Sequence, residues 1–203
     1  MFTGLIESVG TVAGVKPIAG GFALDITTDV APDLRLGESV SVNGVCLTVV
    51  NTDAGSQRFS AEIGPETAKV TSLGTLTNGS LVNLERAMAA NGRFGGHMVL
   101  GHVDAVGTVQ TIRPDADFYW VTVTFPASLA PYLIHRGSIA VDGISLTIAK
   151  LDAASFEVQV VPFTWSHTNL RIARAGDRVN LECDMVGKYV VRALELSGSI
   201  PRR

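Results

Sequence analysis

Only two cysteines occur in 203 residues, Cys46 and Cys183, too few for a scaffold built on disulfides. No run is long and apolar enough to cross a bilayer as a helix. The N-terminus lacks a basic stretch followed by a hydrophobic run, so no signal peptide is expected. Charge of neither sign dominates. The net charge is −3, and the only basic cluster is the short Pro201-Arg202-Arg203. Without a basic stripe carrying interleaved aromatics, nucleic-acid binding is not expected. Also missing are a phosphate-cradling glycine loop with lysine, a dinucleotide fingerprint and a nucleophile elbow. A phosphate-rich cofactor is therefore not expected, and no His, Cys or Asp cluster has metal-ligand spacing.

What the chain does have is one module written twice. Met1-Phe2-Thr3-Gly4-Leu5-Ile6-Glu7-Ser8-Val9-Gly10-Thr11-Val12 returns as Met98-Val99-Leu100-Gly101-His102-Val103-Asp104-Ala105-Val106-Gly107-Thr108-Val109. Asn43-Gly44-Val45-Cys46-Leu47-Thr48-Val49 returns as Asp142-Gly143-Ile144-Ser145-Leu146-Thr147-Ile148, and Val82-Asn83-Leu84-Glu85 returns unchanged as Val179-Asn180-Leu181-Glu182. The repeat is too long for a solenoid unit and long enough for a domain. Two like domains can hold two like ligands. Cys46 aligns with Ser145 and Cys183 with Arg86, so a structural disulfide would break the duplication. Both read as free thiols in a reducing cytoplasm.

The pattern is all-β. Short runs of Val, Ile, Thr and Phe are punctuated by Gly, Asp and Asn. Strands are predicted at 4–14, 21–28, 38–43, 45–52, 57–63 and 80–86, then at 99–113, 119–125, 138–142, 144–151, 155–161 and 177–183. Asn43-Gly44 and Asp142-Gly143 mark tight turns. Six antiparallel strands per half suggest two small closed barrels, which leave no exposed sheet edge. Pro65 and Pro162 can each open a turn of helix. From Met185 to Leu196 the pattern changes to helical spacing, with Val186, Tyr189, Val190, Ala193, Leu194 and Leu196 on one stripe. The first repeat has no counterpart. That stripe must be buried on the chain's own barrels or on another copy.

Residues two apart on a strand share a face. Cys46 and Thr48 therefore point one way and Leu47 the other, as do Ser145 and Thr147 against Leu146. Such pairs suit hydrogen bonding to a ligand, or they are satisfied polar groups inside a barrel. His102, in place of Leu5, could move a proton near neutral pH, or be structural. His97 lies five residues earlier and is predicted on the opposite strand face. Asp184 reads equally well as a helix N-cap or as a site residue, and Arg136 as a residue at a barrel mouth or a solvated surface group.

The opening Met1 to Glu7, the Asn43 to Thr48 turn and strand, Pro65-Glu66-Thr67, Asn83 to Ala87, Gly95-Gly96-His97 through Val103, and Asp142 to Thr147 together resemble the riboflavin synthase family, and the likeness runs the length of the chain. The resemblance implies two tandem six-stranded Greek-key barrels, a lumazine-binding barrel at 1–96 and another at 97–184. It implies an oligomerisation helix and tail at 185–203 that builds a homotrimer. The reaction implied is dismutation of two 6,7-dimethyl-8-ribityllumazine molecules to riboflavin and 5-amino-6-(ribitylamino)uracil, in the cytoplasm, with no metal or redox cofactor. Association with lumazine synthase is a further possible partner. Gly4, Leu5, Ile6, Cys46, Leu47, Thr48, Glu62, Ile63, Gly64, Pro65, Glu66 and Thr67 are expected to line the first pocket. Gly101, His102, Val103, Ser145, Leu146, Thr147, Val160, Val161, Pro162, Phe163, Thr164 and Trp165 are expected to line the second. Phe2, Ser39, Cys46, His102, Ser145, Thr147 and Asp184 match positions the family associates with activity, with His102, Ser145 and Thr147 as the proton relay. Arg136 stands where the family often has lysine, and Phe163 where it more often has a polar residue. The alternative is a lumazine protein, which shares the double barrel but only binds its ligand.

Overall fold

A computed structural model describes residues 1–201; Arg202 and Arg203 of the basic cluster lie outside the described residues. The first six strands are β1 (Ser8–Ile18), β2 (Gly21–Thr27), β3 (Ser39–Val42), β4 (Val45–Asp53), β5 (Arg58–Ile63) and β6 (Leu81–Arg86). They close a barrel in the order β1-β2-β5-β4-β3-β6, every pair antiparallel. The same order recurs in β7 (Ala105–Asp115), β8 (Phe118–Thr124), β9 (Ser138–Val141), β10 (Ile144–Leu151), β11 (Ser155–Val160) and β12 (Arg178–Cys183). Register shifts fall at matching places, Val12/Gly14 and Val49/Asn51 in one barrel, Val109/Thr111 and Ile148/Lys150 in the other. Such bulges bend strands enough to close a small barrel. Each barrel is filled by its own cluster, around Leu24, Ile26, Phe59 and Leu84 in the first and Val123, Ile148, Phe156 and Leu181 in the second.

Two strands start later than predicted, at Ser8 rather than residue 4 and at Ala105 rather than residue 99. The backbone before them is spent elsewhere. The N–H groups of Thr3 and Gly4 donate to the Glu85 carboxylate, and those of Leu100, Gly101 and His102 donate to Glu182. Residues 1–7 and 98–104 thus form two straps, not strand ends. They pair with each other through reciprocal hydrogen bonds between Phe2 and Val99.

Three α-helices are found among the described residues. Helix α1 (Pro65–Val70) and helix α2 (Pro162–Ser166) each begin on the predicted proline. Helix α3 (Met185–Leu196) is capped by Asp184, whose carboxylate accepts the Val186 N–H at 3.0 Å. It leans on residues 127–132 with Val191 and Glu195 buried. The predicted apolar stripe faces away: Val186, Tyr189, Val190, Leu194 and Leu196 are all exposed. Within one chain the barrels do not cover it. No described helix is long and apolar enough to cross a membrane.

The barrels meet across the two tight turns. A Cβ added at Gly44 would lie 2.6 Å from the Gly143 nitrogen, so only glycine allows this approach. Around it runs a buried polar network. Asn83 Nδ2 donates to the Asp142 carbonyl, Asn180 Nδ2 to the Asn43 carbonyl, and Asn169 Nδ2 to the Asp142 carboxylate. Burial, against the Asn180 backbone N–H and Asn169 Nδ2 that donate to it, raises the Asp142 carboxyl from the ordinary 3.8 to about 6. Between these values the folded chain holds the proton more tightly than the unfolded chain, so stability falls as pH rises through the window. The displacement corresponds to roughly 3 kcal/mol. Asp142→Asn removes it, as Asn43 does at the equivalent place. The stability of the variant minus that of wild type should therefore rise by roughly 3 kcal/mol between about pH 4 and about pH 7. Urea unfolding at both pH values checks this, and a constant difference would refute it.

A smaller test concerns the β7–β8 hairpin, where Ala116 has a φ of 51°. The left-handed region costs a residue with a Cβ about 1–2 kcal/mol, partly offset by the chain entropy glycine loses. Ala116→Gly is expected to raise stability by about 0.5 kcal/mol, read as a shift in urea midpoint.

Candidate functional site

Burial alternates along β4: Val45, Leu47 and Val49 point into the barrel, Cys46 is half-buried and Thr48 exposed on the outer side. Strand β10 repeats this, with Ile144, Leu146 and Ile148 inside, Ser145 half-buried and Thr147 exposed. Ser39 pairs with Thr48 across β3 and β4. The small polar side chains therefore sit on the outer face of each barrel, beside the turns where the barrels meet. Glu62, Gly64, Pro65 and Glu66 near Thr48, and Val161, Pro162 and Phe163 on the second barrel, are exposed around them, while Thr67, Thr164 and Trp165 are half-buried. Ile63 and Val160 point into the cores.

The straps cross over. Gly4, from the first repeat, lies on the second barrel: its carbonyl accepts the Ser145 N–H at 2.8 Å, and Ile6 packs against the second core. Gly101, from the second repeat, lies on the first barrel: its carbonyl accepts the Cys46 N–H at 2.9 Å, and Val103 packs against the first core. The expected grouping is corrected accordingly. Gly4, Leu5 and Ile6 belong beside Ser145 and α2; Gly101, His102 and Val103 belong beside Cys46. The reason is that the strap backbone bonds its own barrel's glutamate while its glycine reaches the other barrel. Phe2 is fully buried with Val99 and Ala140 in a small core under the crossing, against Cys46. It supports the straps and offers no surface to a ligand.

The crossing also separates His102 from Ser145. His102 is exposed on the strap over the first barrel. The partner of Ser145 is His97, whose Nδ1 lies 2.7 Å from the Ser145 Oγ. The premise that 97–102 is a strand fails, because Val99 alone makes a bridge. The Nε2 atom of His97 is buried and has no hydrogen-bond partner among the described residues. Burial holds this imidazole below its ordinary pKa, opposed by the charge of Asp184. A neutral ring with one nitrogen on a serine and the other free can take a proton from a ligand. Asp184 thus acts as the α3 cap and as a charge felt by His97. Arg136 is exposed with a φ of 65° in the turn before β9, its N–H donating to the Ile148 carbonyl.

Between the first strap and α2 lies a cleft of about 420 Å³, whose lining includes Ile6, Glu7, Asp29, Phe163, His167 and Arg171. Phe163 stacks on His167 at 4.0 Å between ring centroids. The volume suits a molecule of two fused rings with a polar side chain.

Comparison with known proteins places this architecture. The model of the lumazine binding domain matches twice, over residues 3–87 and 100–184. The chain is 48% identical over 196 residues to riboflavin synthase of Actinobacillus pleuropneumoniae, covering 96% of this chain and 90% of that protein. The chain belongs to the riboflavin synthase family. Identity is 46% to riboflavin synthase of Bacillus subtilis, with the same coverage, and 45% to that of Mycobacterium tuberculosis, covering 98% of this chain and 100% of that one. The fold is shared with LumP crystallised with riboflavin, at a TM-score of 0.84 and 24% identity over 90% of this chain and 99% of that one.

In this member of the riboflavin synthase family, three placements are not evident from strand pattern alone: His97 on Ser145, and Glu85 and Glu182 on the straps. Signals for them existed. Gly95-Gly96 before His97 lets the backbone close on Ser145, since a Cβ on Gly96 would lie 2.8 Å from the serine Cβ. The unchanged repetition of Val-Asn-Leu-Glu put a glutamate among buried strand positions twice. Cys183 is the other free thiol; it is buried, and its pKa is pushed up to about 12.

Proposed function

We propose that this chain is a riboflavin synthase, a transferase that moves a four-carbon unit between two molecules of 6,7-dimethyl-8-ribityllumazine. The products are riboflavin and 5-amino-6-(ribitylamino)uracil. The observation that carries the reading is the duplication itself. Two barrels of one topology present matched outer-face sites, and the reaction takes two copies of one substrate. Full-length identity to curated riboflavin synthases supports it. The stoichiometry balances without an outside oxidant or reductant, so the residues need only bind, orient and move protons. The C7 methyl of one lumazine loses a proton to a base, for which His97 on Ser145 is the candidate, and the anion spreads over the ring. Holding the two rings together can be worth roughly 7–11 kcal/mol of the barrier. Cys46, Ser39 and Thr48 on one side, and Thr147 on the other, are candidate ring contacts.

The domain assignment is 1–96, 97–184 and 185–203. The uncovered stripe of α3, with Tyr189 and Val186 exposed, supports a homotrimer in which a neighbour's barrel closes each open pocket, and Arg136 is a candidate contact across that interface. A cytoplasmic location and association with lumazine synthase complete the proposal. The alternative is a lumazine-binding accessory protein, favoured only by the fold likeness to LumP.

The test is to incubate the purified protein with 6,7-dimethyl-8-ribityllumazine alone, under argon. Riboflavin and the uracil appearing in equal amounts is the expected result. Binding with a fluorescence change and no turnover would move the answer to the accessory protein. Sedimentation of the chain checks the trimer, and a monomer would end that part of the reading.

A further inference from the structure

The two glutamates have no place in the chemistry above, yet each is buried and each spends its carboxylate on strap backbone. Glu182 on β12 accepts Leu100 N–H at 2.8 Å on one oxygen, and Gly101 N–H at 2.9 Å and His102 N–H at 3.1 Å on the other. Glu85 on β6 accepts Thr3 N–H at 2.6 Å, the Thr3 hydroxyl at 2.8 Å and Gly4 N–H at 2.9 Å. Three donors converging on one carboxylate fix a short backbone segment in a single conformation. The held segment then leaves its barrel. Gly101 meets Cys46 of the first barrel, and Gly4 meets Ser145 of the second.

We propose that Glu182 and Glu85 are crossed positioning residues: each, seated in one barrel, sets one wall of the ligand pocket on the other barrel. The functional part of this rests on the reading that these pockets hold lumazine. The geometry makes a distinctive demand. Weakening Glu182 must disturb the outer face of the first barrel around Cys46 and spare Ser145; weakening Glu85 must do the reverse. A glutamate that merely stabilised its own barrel would give the opposite pattern.

Burial pushes both carboxyls up from their ordinary range, against the donors that favour the charge. The straps therefore hold tightest when both are ionised.

The test is amide hydrogen exchange on the full-length protein carrying Glu182→Gln or Glu85→Gln. Glutamine keeps the shape but sets an N–H against the strap donors, so at least one of the three hydrogen bonds is lost, and two where the amide nitrogen takes the doubly bonded end. For Glu182→Gln, exchange at the Cys46 amide, whose partner is the Gly101 carbonyl, is expected to speed up about tenfold or more, with the Ser145 amide unchanged. Glu85→Gln is expected to release Ser145 and leave Cys46 protected. The Michaelis constant for 6,7-dimethyl-8-ribityllumazine should rise in both. Release in the barrel that carries the substitution, or equal release in both barrels, overturns the proposal. If glutamine prevents folding, Glu182→Asp keeps the charge and loses the reach, and must show the same crossed pattern. If that variant also fails to fold, Glu182 is holding its own barrel and the proposal is wrong. The exchange readout needs no turnover. A chain that proves inactive on lumazine can still pass it, and an active one can fail it.

Discussion

Replacing His97 with asparagine is expected to lower lumazine turnover about 10²–10⁴-fold, the usual worth of a positioned acid–base group, with no fall in urea midpoint. Asparagine can place its amide where Nδ1 now sits, so the bond to Ser145 Oγ, 2.7 Å in the native chain, is kept. What is lost is Nε2. That nitrogen is buried without a partner among the described residues, a condition that costs about 1–3 kcal/mol when nothing fills it. A bound ligand that supplies the missing partner explains the cost. Burial favours the neutral ring, so the acid limb of the native pH–rate profile should fall below the ordinary histidine value of about 6.5. In the variant that limb should vanish. Stability follows the same sign. The unfolded chain binds a proton at His97 more readily, so this group's contribution is present at neutral pH and lost as pH drops below about 6.5. A variant that keeps a third or more of native turnover sinks the assignment. If His102→Gln were instead the crippling change, the proton would be handled on the first barrel, where the second strap places His102.

The barrels were legible because their physics is local and was written twice. Strand periodicity sets Leu47 and Leu146 on one face and Cys46 and Ser145 on the other, and the structure turns the leucines inward; the Asn43-Gly44 and Asp142-Gly143 turns separate the strands they were predicted to separate. The helix from Met185 to Leu196 has the predicted bounds, with Asp184 as its cap. The straps were not legible. Residues 3–6 and 99–103 share the Thr, Leu, Ile and Val of the strands they run into, and nothing local says that their N–H groups go to a glutamate some eighty positions away. Strand there would set His97 and His102 on opposite faces and give each strap to its own barrel's pocket, and the structure does neither. Repetition in sequence identifies equivalent parts; it does not say which copy of a part meets which copy of another.

The glycine at the crossing gives the sharpest check on this arrangement. Gly101→Ala is expected to cost about 2–5 kcal/mol, combining the left-handed penalty of about 1–2 with overpacking of about 1–3, and to cut turnover about 10²-fold through misplacement of the pocket wall. Gly101 has a φ of 79°, and an added Cβ would lie 2.6 Å from the Cys46 Cβ and 2.7 Å from its nitrogen. Those obstacles are backbone and the base of a side chain, and neither can rotate away. The strap can then yield only by breaking the hydrogen bond from Cys46 N–H to the Gly101 carbonyl, or by leaving Glu182. Either route opens the first barrel's outer face. Gly64→Ala is the matched control on that face: nothing stands within 4 Å of its added Cβ, and it sits in extended backbone at a φ of −72°, so its stability should stay near native. If Gly101→Ala proved as stable and active as Gly64→Ala, the second strap would not lie against Cys46 in the working protein. If instead stability fell while turnover held, the crossing would be a fold element without a part in the pocket. Loss of both, with the Cys46 amide newly open to exchange, is the outcome the geometry requires.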